Sequence, residues 1–316
     1  MKVGFVSFVG RPNAGKSTLV NRVVGTKLAI VSDKPQTTRN RILAVRNYVG
    51  ESPAQVVLVD TPGIHRPLHR MNVRMVDVAI ESIGAVDVVA LVRDATDGFG
   101  AGDRFVLKSL VSVTVPVILI LNKIDLIAKG RLLPIIDWYR QQREFAAIVP
   151  VSALTGDGVD IVEQEIIGQL PEGEPLYPEE FLTDQPERVL AAETVREKVL
   201  RHTHAELPFT TAVVIDRFDD ESEPGRLQIY CSILVERRSQ KPIVVGPGGA
   251  MVRQIGTEAR RELEEFFGTS VYLDLHVKVR PDWRENDRIL DEAGVARATG
   301  RMGSRKGDAG DVTKGV

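Results

Sequence analysis

The chain has 316 residues, 43% of them hydrophobic and 27% charged, enough for two separate cores at roughly 150 residues per domain. Its single cysteine excludes an internal disulfide framework and a multi-thiolate metal site, and fits a reducing compartment. A net charge of −2, from 41 basic and 43 acidic residues, excludes nucleic-acid binding by bulk positive charge, so any polyanion site must be local.

Residues 1–170 alternate short apolar runs with helical patterns. The runs at 3–9, 56–60, 86–92, 115–121 and 146–151 are rich in Val and Ile and barely alternate, as strands buried on both faces do. They predict an α/β unit with a mostly parallel sheet. The longest run is far short of the roughly 20 residues a membrane span needs, and the N-terminus leads into motif residues without a signal-peptide pattern. A cytoplasmic protein is expected. Residues 171–187 hold Pro171, Pro175, Pro178 and Pro186 with six acidic and no basic residues, and read as a linker. From 188 to 293 the pattern becomes a smaller α+β unit: a helix over 188–204, strands at 211–218 and 226–236, a helix over 249–267 and a strand at 271–279. Leu227, Ile229, Cys231, Ile233 and Val235 recur with period two, which puts one strand face, Cys231 included, in a core. Residues 294–316 are glycine-rich with few large apolar side chains, and disorder is expected there.

Gly10-Arg11-Pro12-Asn13-Ala14-Gly15-Lys16-Ser17-Thr18 carries the phosphate-loop pattern G-x-x-x-x-G-K-[ST], after a strand and before a helix that Gly25 stops. Glycines let backbone N–H groups curl around phosphates at a helix N-terminus, Lys16 would reach the β and γ phosphates, and the Ser17 hydroxyl would bind Mg²⁺. Asp60-Thr61-Pro62-Gly63-Ile64 ends the next buried strand. There a carboxylate can hold Mg²⁺ and the Gly63 amide can meet a γ-phosphate. Asn122-Lys123-Ile124-Asp125 follows the strongest apolar run. A carboxylate at Asp125 accepts from N1–H and N2–H₂ of guanine, a donor pair that adenine lacks, so the nucleotide is GTP or GDP. Ser152-Ala153-Leu154 would complete the base pocket. Gln36-Thr37-Thr38-Arg39 lies where a first switch belongs, with Thr38 the expected Mg²⁺ ligand and Thr37 the fallback. Ile64 follows Gly63, and an isoleucine cannot orient a nucleophilic water by hydrogen bonding. His65 and His69 are separated by Pro67, which disfavours a metal-binding helix, and Asp94, Asp97 and Asp103 miss the calcium-loop spacing.

In the second unit Gly246-Pro247-Gly248-Gly249 precedes a helix with Val252, Ile255 and Leu263 inward. A G-x-x-G loop lets a single-stranded nucleic-acid backbone approach closely, because no side chain blocks it. Arg253 is the leading candidate for a backbone contact, followed by Arg237, Arg238 and Lys241.

Four motifs in this order, each after its own strand, resemble the Ras-like translation-factor class of GTPases. Together with the G-x-x-G unit and the run Lys278-Val-Arg-Pro-Asp-Trp283-Arg284, residues 3–290 resemble the Era GTPases of ribosome assembly. The resemblance implies a P-loop GTPase domain at 1–170, a linker at 171–187, a KH domain of type II-like order at 188–293 and a tail at 294–316. It also implies a monomer that hydrolyses GTP with Mg²⁺ and binds 16S rRNA near its 3′ end on the 30S subunit, with peripheral association at the inner face of the cell membrane. Asn13 resembles the asparagine with which GTPases bearing a hydrophobic residue after DTPG help to hold K⁺ beside the phosphates. Many family members carry lysines where this chain has Gly248 and Met251. Residues 188–316 hold 21 basic and 21 acidic residues, so the phosphate contribution to RNA affinity should be reduced. Two alternatives are a tRNA-modification GTPase, which shares the first domain's motifs, and a KH module whose nucleotide site only senses GTP.

Overall fold

The computed structural model describes residues 1–298 apart from 33, 35, 51, 205, 206 and 220–224. Among the described residues the first sheet comprises β1 (Lys2–Val9), β2 (Ile42–Tyr48), β3 (Ala54–Asp60), β4 (Val88–Asp94), β5 (Val117–Asn122) and β6 (Ala147–Pro150). Their order is β2-β3-β1-β4-β5-β6. All neighbours run parallel except β2, which is antiparallel to β3. The sequence does not predict β2: only Ile42 to Val45 are buried apolar positions, and the strand ends in the exposed Arg46 and the half-buried Asn47 and Tyr48.

Five helices cover the sheet: α1 (Lys16–Val24), α2 (Arg70–Ile83), α3 (Ala101–Ser109), α4 (Leu132–Arg140) and α5 (Val159–Gln169). Leu19, Val20, Val162 and Ile166 of α1 and α5 close one face, and Ala79, Ile83, Val106 and Ile135 of α2, α3 and α4 close the other. Burial on both faces explains why β3, β4 and β5 are apolar without alternation. Parallel strands put their C-terminal ends at one edge, where the loops of all four motifs gather.

The proline- and acid-rich segment lies along the first sheet and is bonded to it. Pro171 C=O accepts from Val3 N–H at 2.9 Å, and Leu182 C=O from Val45 N–H at 2.9 Å. The Gln55 side chain clamps its middle, accepting from Leu176 N–H at 2.7 Å and donating to Tyr177 C=O at 2.8 Å. Tyr177 and Phe181 stack at 4.6 Å over Leu43, Val45 and Val57.

The second unit runs α6 (Glu187–His202), the single turn α7 (Leu207–Thr210), β7 (Thr211–Asp219), β8 (Arg226–Val235), α8 (Lys241–Val245), α9 (Ala250–Phe267), β9 (Ser270–Val279) and α10 (Asp287–Glu292). With α7 set aside, its first six elements follow the α-β-β-α-α-β order of a type II KH fold. β7 and β8 are antiparallel, and β8 and β9 parallel. One sheet face packs Leu227, Ile229, Cys231 and Ile233 against Val195 and Val199 of α6 and Ile255 and Leu263 of α9. Burial pushes the Cys231 thiol up to about 12, so it is a core residue that does not ionise near neutrality.

The opposite face of that sheet joins the two units. Ala212 and Leu234 meet Met71 and Met75 of α2, with Trp283, Leu290 and Val295 in the same cluster. Residues 294–298 therefore correct the expectation of a disordered tail from 294: Val295 is buried, its carbonyl accepts from Arg74 at 3.0 Å, and Ala296 N–H donates to Asn40 at 2.8 Å. The rest of that tail, 299–316, lies outside the described residues. Trp283 is fully buried and donates Nε1–H to Thr210 C=O at 2.9 Å. Trp283→Ala should cost about 3–5 kcal/mol, measured as a lower urea midpoint for the second unit. An unchanged midpoint would mean that the cluster contributes little.

Candidate functional site

The phosphate loop needs backbone angles that few residues adopt. Gly10 has φ 152°, Asn13 φ 61° and Gly15 φ 89°. A Cβ at Gly10 would stand 2.1 Å from Val92 O, and one at Gly15 2.1 Å from Asn122 Nδ2, so space as well as angle demands glycine. Around the loop lies a pocket of about 190 Å³ whose lining includes Asn13, Gly15, Lys16, Ser17, Thr18 and Thr38. Lys16 is buried, with Nζ 3.1 Å from Arg11 O and 3.4 Å from Gly10 O. Burial pulls its ammonium down to about 8, against the attraction of Asp60, and a bound polyanion would raise it again.

Three oxygens from distant positions converge beside it. Ser17 Oγ donates to Asp60 Oδ2 at 2.6 Å and lies 2.7 Å from Thr38 Oγ1, which is 3.5 Å from the same carboxylate oxygen. Asp60 is fully buried, its other oxygen Oδ1 has no hydrogen-bond partner, and burial pushes its carboxyl up to about 6. A hydroxyl pair and a buried carboxylate with an uncompensated oxygen form an all-oxygen donor set that fits a hard divalent cation such as Mg²⁺. Thr37 is directed elsewhere, its hydroxyl donating to Lys34 C=O at 2.6 Å.

Gly63 presses on the phosphate loop: a Cβ there would meet Pro12 N at 2.6 Å, and Ile64 N–H donates to Gly10 C=O at 2.9 Å. Ile64 itself is buried in the core against α2. Thr61 turns back to donate to Phe8 C=O at 2.7 Å, and Pro62 follows it in the irregular segment before α2. His65 joins the stretch around Gln36 to Gly63 and to Asn72 of α2. Its Nε2 lies 2.9 Å from Asn72 Nδ2 and 3.4 Å from Gln36 Nε2, and its Nδ1 2.8 Å from Gly63 O. Two amide donors at Nε2 assign the proton to Nδ1, which donates to Gly63 C=O. His69 pairs with Glu285 at 2.9 Å.

Asn122 fastens the segment at Ala153 to the phosphate loop. Its amide donates to Ala14 C=O and accepts from Ala153 N–H, each at 2.9 Å. Lys123 has φ 67° and pairs with Asp94 at 2.5 Å, while Ile124 N–H donates to Val151 C=O at 3.2 Å. Asp125 is exposed and does not line the pocket around the phosphate loop. Ser152 Oγ accepts from Thr155 N–H at 3.1 Å, and Arg22 of α1 donates to Ala153 C=O at 3.3 Å and to Leu154 C=O. Arg22 escaped sequence reasoning because nothing local marks it. The Arg11 side chain leaves the pocket for Asp97 at 3.2 Å and Asp103 at 3.5 Å, so this residue reaches the site only through its backbone.

At the second site, Gly246, Gly248 and Gly249 have φ of 73°, 57° and 79°. A Cβ at Gly246 would stand 2.6 Å from that of Met251, so loop and helix touch, whereas Gly248 and Gly249 face open space beside the exposed Pro247. A groove of about 390 Å³ opens beside them over Val252, Arg253 and Gly256 of α9 and Leu273 and Leu275 of β9. Arg260 also lines it, seven residues beyond Arg253 on the same helix; that spacing could have found it. Arg237, Arg238 and Lys241 are exposed but do not line the groove.

A family model described as a 50S ribosome-binding GTPase matches residues 5–123, and a KH-domain model matches 206–284. The chain is 47% identical to GTPase Era of Geobacter metallireducens over 92% of its length and 97% of that protein. It is 46% identical to GTPase Era of Syntrophus aciditrophicus over 93% and 95%. Among solved structures it is similar to Aquifex aeolicus Era bound to GDP·AlF₄⁻, with a TM-score of 0.89 at 42% identity, covering 94% of this chain and 100% of that one. It is also similar to Era in complex with MgGDPNP and nucleotides 1506–1542 of 16S ribosomal RNA, with a TM-score of 0.90 at 43% identity over 94% and 99%.

Proposed function

Because the chain belongs to the Era family of GTPases, we propose that it is a GTP-hydrolysing switch that binds small-subunit rRNA through its KH domain and acts in assembly of the 30S subunit. The observation that carries this reading is that the segments placed to sense a γ-phosphate, around Thr38 and from Gly63 into α2, are the ones on which the KH unit rests. In this reading 1–170 is the nucleotide domain, 171–187 the linker and 188–293 the RNA-binding domain. The 3′ end of 16S rRNA lies over Gly246 to Gly249 and Arg253. Among the described residues no helix is long and apolar enough to cross a membrane, so contact with the inner face of the membrane would be peripheral.

Ser17, Thr38 and Asp60 would hold Mg²⁺, which would neutralise phosphate charge when bound. Lys16 and the N–H groups of the loop from Gly10 to Thr18 bind the phosphates; Lys16, Thr38 and the Gly63 amide meet the γ-phosphate. Asn122 to Asp125 and Ser152 to Leu154 form the base pocket. Ile64 has no group that could orient water, and Asn13, which lines the phosphate pocket, is our candidate K⁺ ligand. K⁺ there would supply charge at the transferring phosphoryl group. Single-turnover hydrolysis by the purified protein should be at least about tenfold faster in K⁺ than in Na⁺. Equal rates would remove the K⁺ assignment, and no hydrolysis in either salt would leave a passive GTP sensor. The tRNA-modification alternative finds no support, since relatives matching both units along more than nine-tenths of the chain are named Era.

A further inference from the structure

Val31, Ser32, Gln36, Thr37 and Thr38 line one side of the nucleotide pocket, and the second unit with the residues that follow it holds Val31, Thr37, Arg39 and Asn40. Glu197 of α6, buried, accepts from Val31 N–H at 3.0 Å while Lys27 and Lys198 donate to its other oxygen at 2.6 and 2.9 Å. Arg196, the preceding residue and 2% exposed, donates through Nη2 to Thr37 C=O. Its fork is oriented by Glu193, with Nε donating to Oε1 at 2.8 Å and Nη2 to Oε2 at 2.5 Å. Arg39, 3% exposed, donates to Pro208 C=O at 3.5 Å and lies over the Trp283 ring at 5.5 Å from its centre. Asn40 accepts from Ala296 N–H at 2.8 Å. Thr38 sits between these holds and faces Ser17 and Asp60. Both of its chain neighbours are thus held from the KH unit, although the groups that hold them lie more than 150 residues away.

We propose that Arg196 is a positioning residue for Thr38: by fixing the Thr37 carbonyl it sets the Thr37–Thr38 peptide plane and presents the threonine hydroxyl to the magnesium site. The proposal rests on the reading of Thr38 as a Mg²⁺ ligand. A peptide is planar, so fixing the C=O of Thr37 fixes the N–H of Thr38 and narrows the directions open to its side chain. Arginine suits the task because a planar fork can bond a carboxylate and a carbonyl together, whereas an ammonium has no fixed fork. A switch threonine ligates Mg²⁺ only while γ-phosphate is present, so the hold counts toward the triphosphate complex and not toward the diphosphate one. A merely structural Arg196 would affect both nucleotides alike.

The test uses the full chain with fluorescent GDPNP and GDP titrated in Mg²⁺. Arg196→Met should weaken GDPNP about tenfold, the loss of one charge-assisted hydrogen bond, raise the Mg²⁺ needed for half-maximal GDPNP binding, and leave GDP affinity within about twofold. Arg196→Lys, which keeps a donor without the fork, should fall between wild type and Met. It also replaces the Met variant should circular dichroism show Met unfolded. Equal weakening of both nucleotides, or no change in either, in a folded variant overturns the proposal. Thr38→Ala runs beside them. Loss of GDPNP affinity in Thr38→Ala with none in the Arg196 variants overturns the positioning role alone, and unchanged GDPNP binding and Mg²⁺ requirement in Thr38→Ala overturns the magnesium reading with it.

Discussion

Asp125→Asn should cost GTP affinity by about 10²- to 10⁴-fold, because two hydrogen bonds from N1–H and N2–H₂ of guanine to a charged acceptor are replaced by an amide that can accept one and opposes the other with its own donor. The same amide matches xanthine, which offers an N–H donor and a carbonyl acceptor at those two positions, so xanthosine triphosphate should bind the variant better than GTP does. Competition of the two triphosphates against a fluorescent guanine nucleotide reads the exchange directly. Asp125 is exposed on a turn of 3₁₀ helix, whereas its neighbour Asn122 is buried with both ends of its amide bonded. Asp125→Asn should therefore leave folding unchanged, while Asn122→Ala would disconnect the phosphate loop from the segment at Ala153. An Asp125→Asn protein that still preferred GTP would remove Asp125 from the base-reading role.

Gly249→Asp should abolish RNA binding and spare GTP binding. At φ 79° an aspartate is strained by about 1–2 kcal/mol, and nothing lies within 4 Å of the added Cβ, so the fold should survive the change. The added carboxylate lies at the mouth of the groove beside Arg253. There it repels the phosphates of a backbone approaching the loop and offsets one of the few local cations. Because residues 188–316 carry equal numbers of acids and bases, no surplus of positive charge can rescue the contact. Filter binding of an oligonucleotide from the 3′ end of 16S rRNA, with nucleotide titration on the same preparation, separates the two effects. RNA affinity within about twofold of wild type would mean that the RNA lies elsewhere.

How much of this was legible beforehand depends on the range of the forces involved. The phosphate loop could be read because its chemistry is local: glycines at fixed offsets, a lysine and a hydroxyl at the start of α1, all within nine residues. The buried strands could be read because burial on both faces writes itself as unbroken Val and Ile. Strand β2 could not, since its apolar run is only four residues long before Arg46, Asn47 and Tyr48, and its partner β3 is antiparallel, so neither composition nor topology announced it. Residues 171–187 read as a linker because prolines and acids suppress periodicity, yet their backbone groups find partners on β1 and β2 and their two aromatics cover Leu43 and Val45. Arg11 belongs to the phosphate-loop pattern by position, but two carboxylates near α3 draw its side chain away.

By itself the sequence determined the class of each half: a guanine-nucleotide site at the C-terminal edge of a mostly parallel sheet, then a G-x-x-G unit whose neutral charge makes recognition depend on loop shape. These follow from periodicity, backbone freedom and the donors and acceptors of a few side chains, all short-range in the chain. Only the tertiary structure decided which of two adjacent threonines stands beside Ser17 and Asp60, that His65 joins Gln36 to Gly63 and Asn72, and that Arg196 and Glu197 hold one side of a pocket in the other half. Those outcomes depend on which buried charges and carbonyls meet once the two sheets close on α2. A desolvated guanidinium or carboxylate takes whatever partner the packing brings within about 3 Å, and nothing in its own stretch of sequence records which partner that will be.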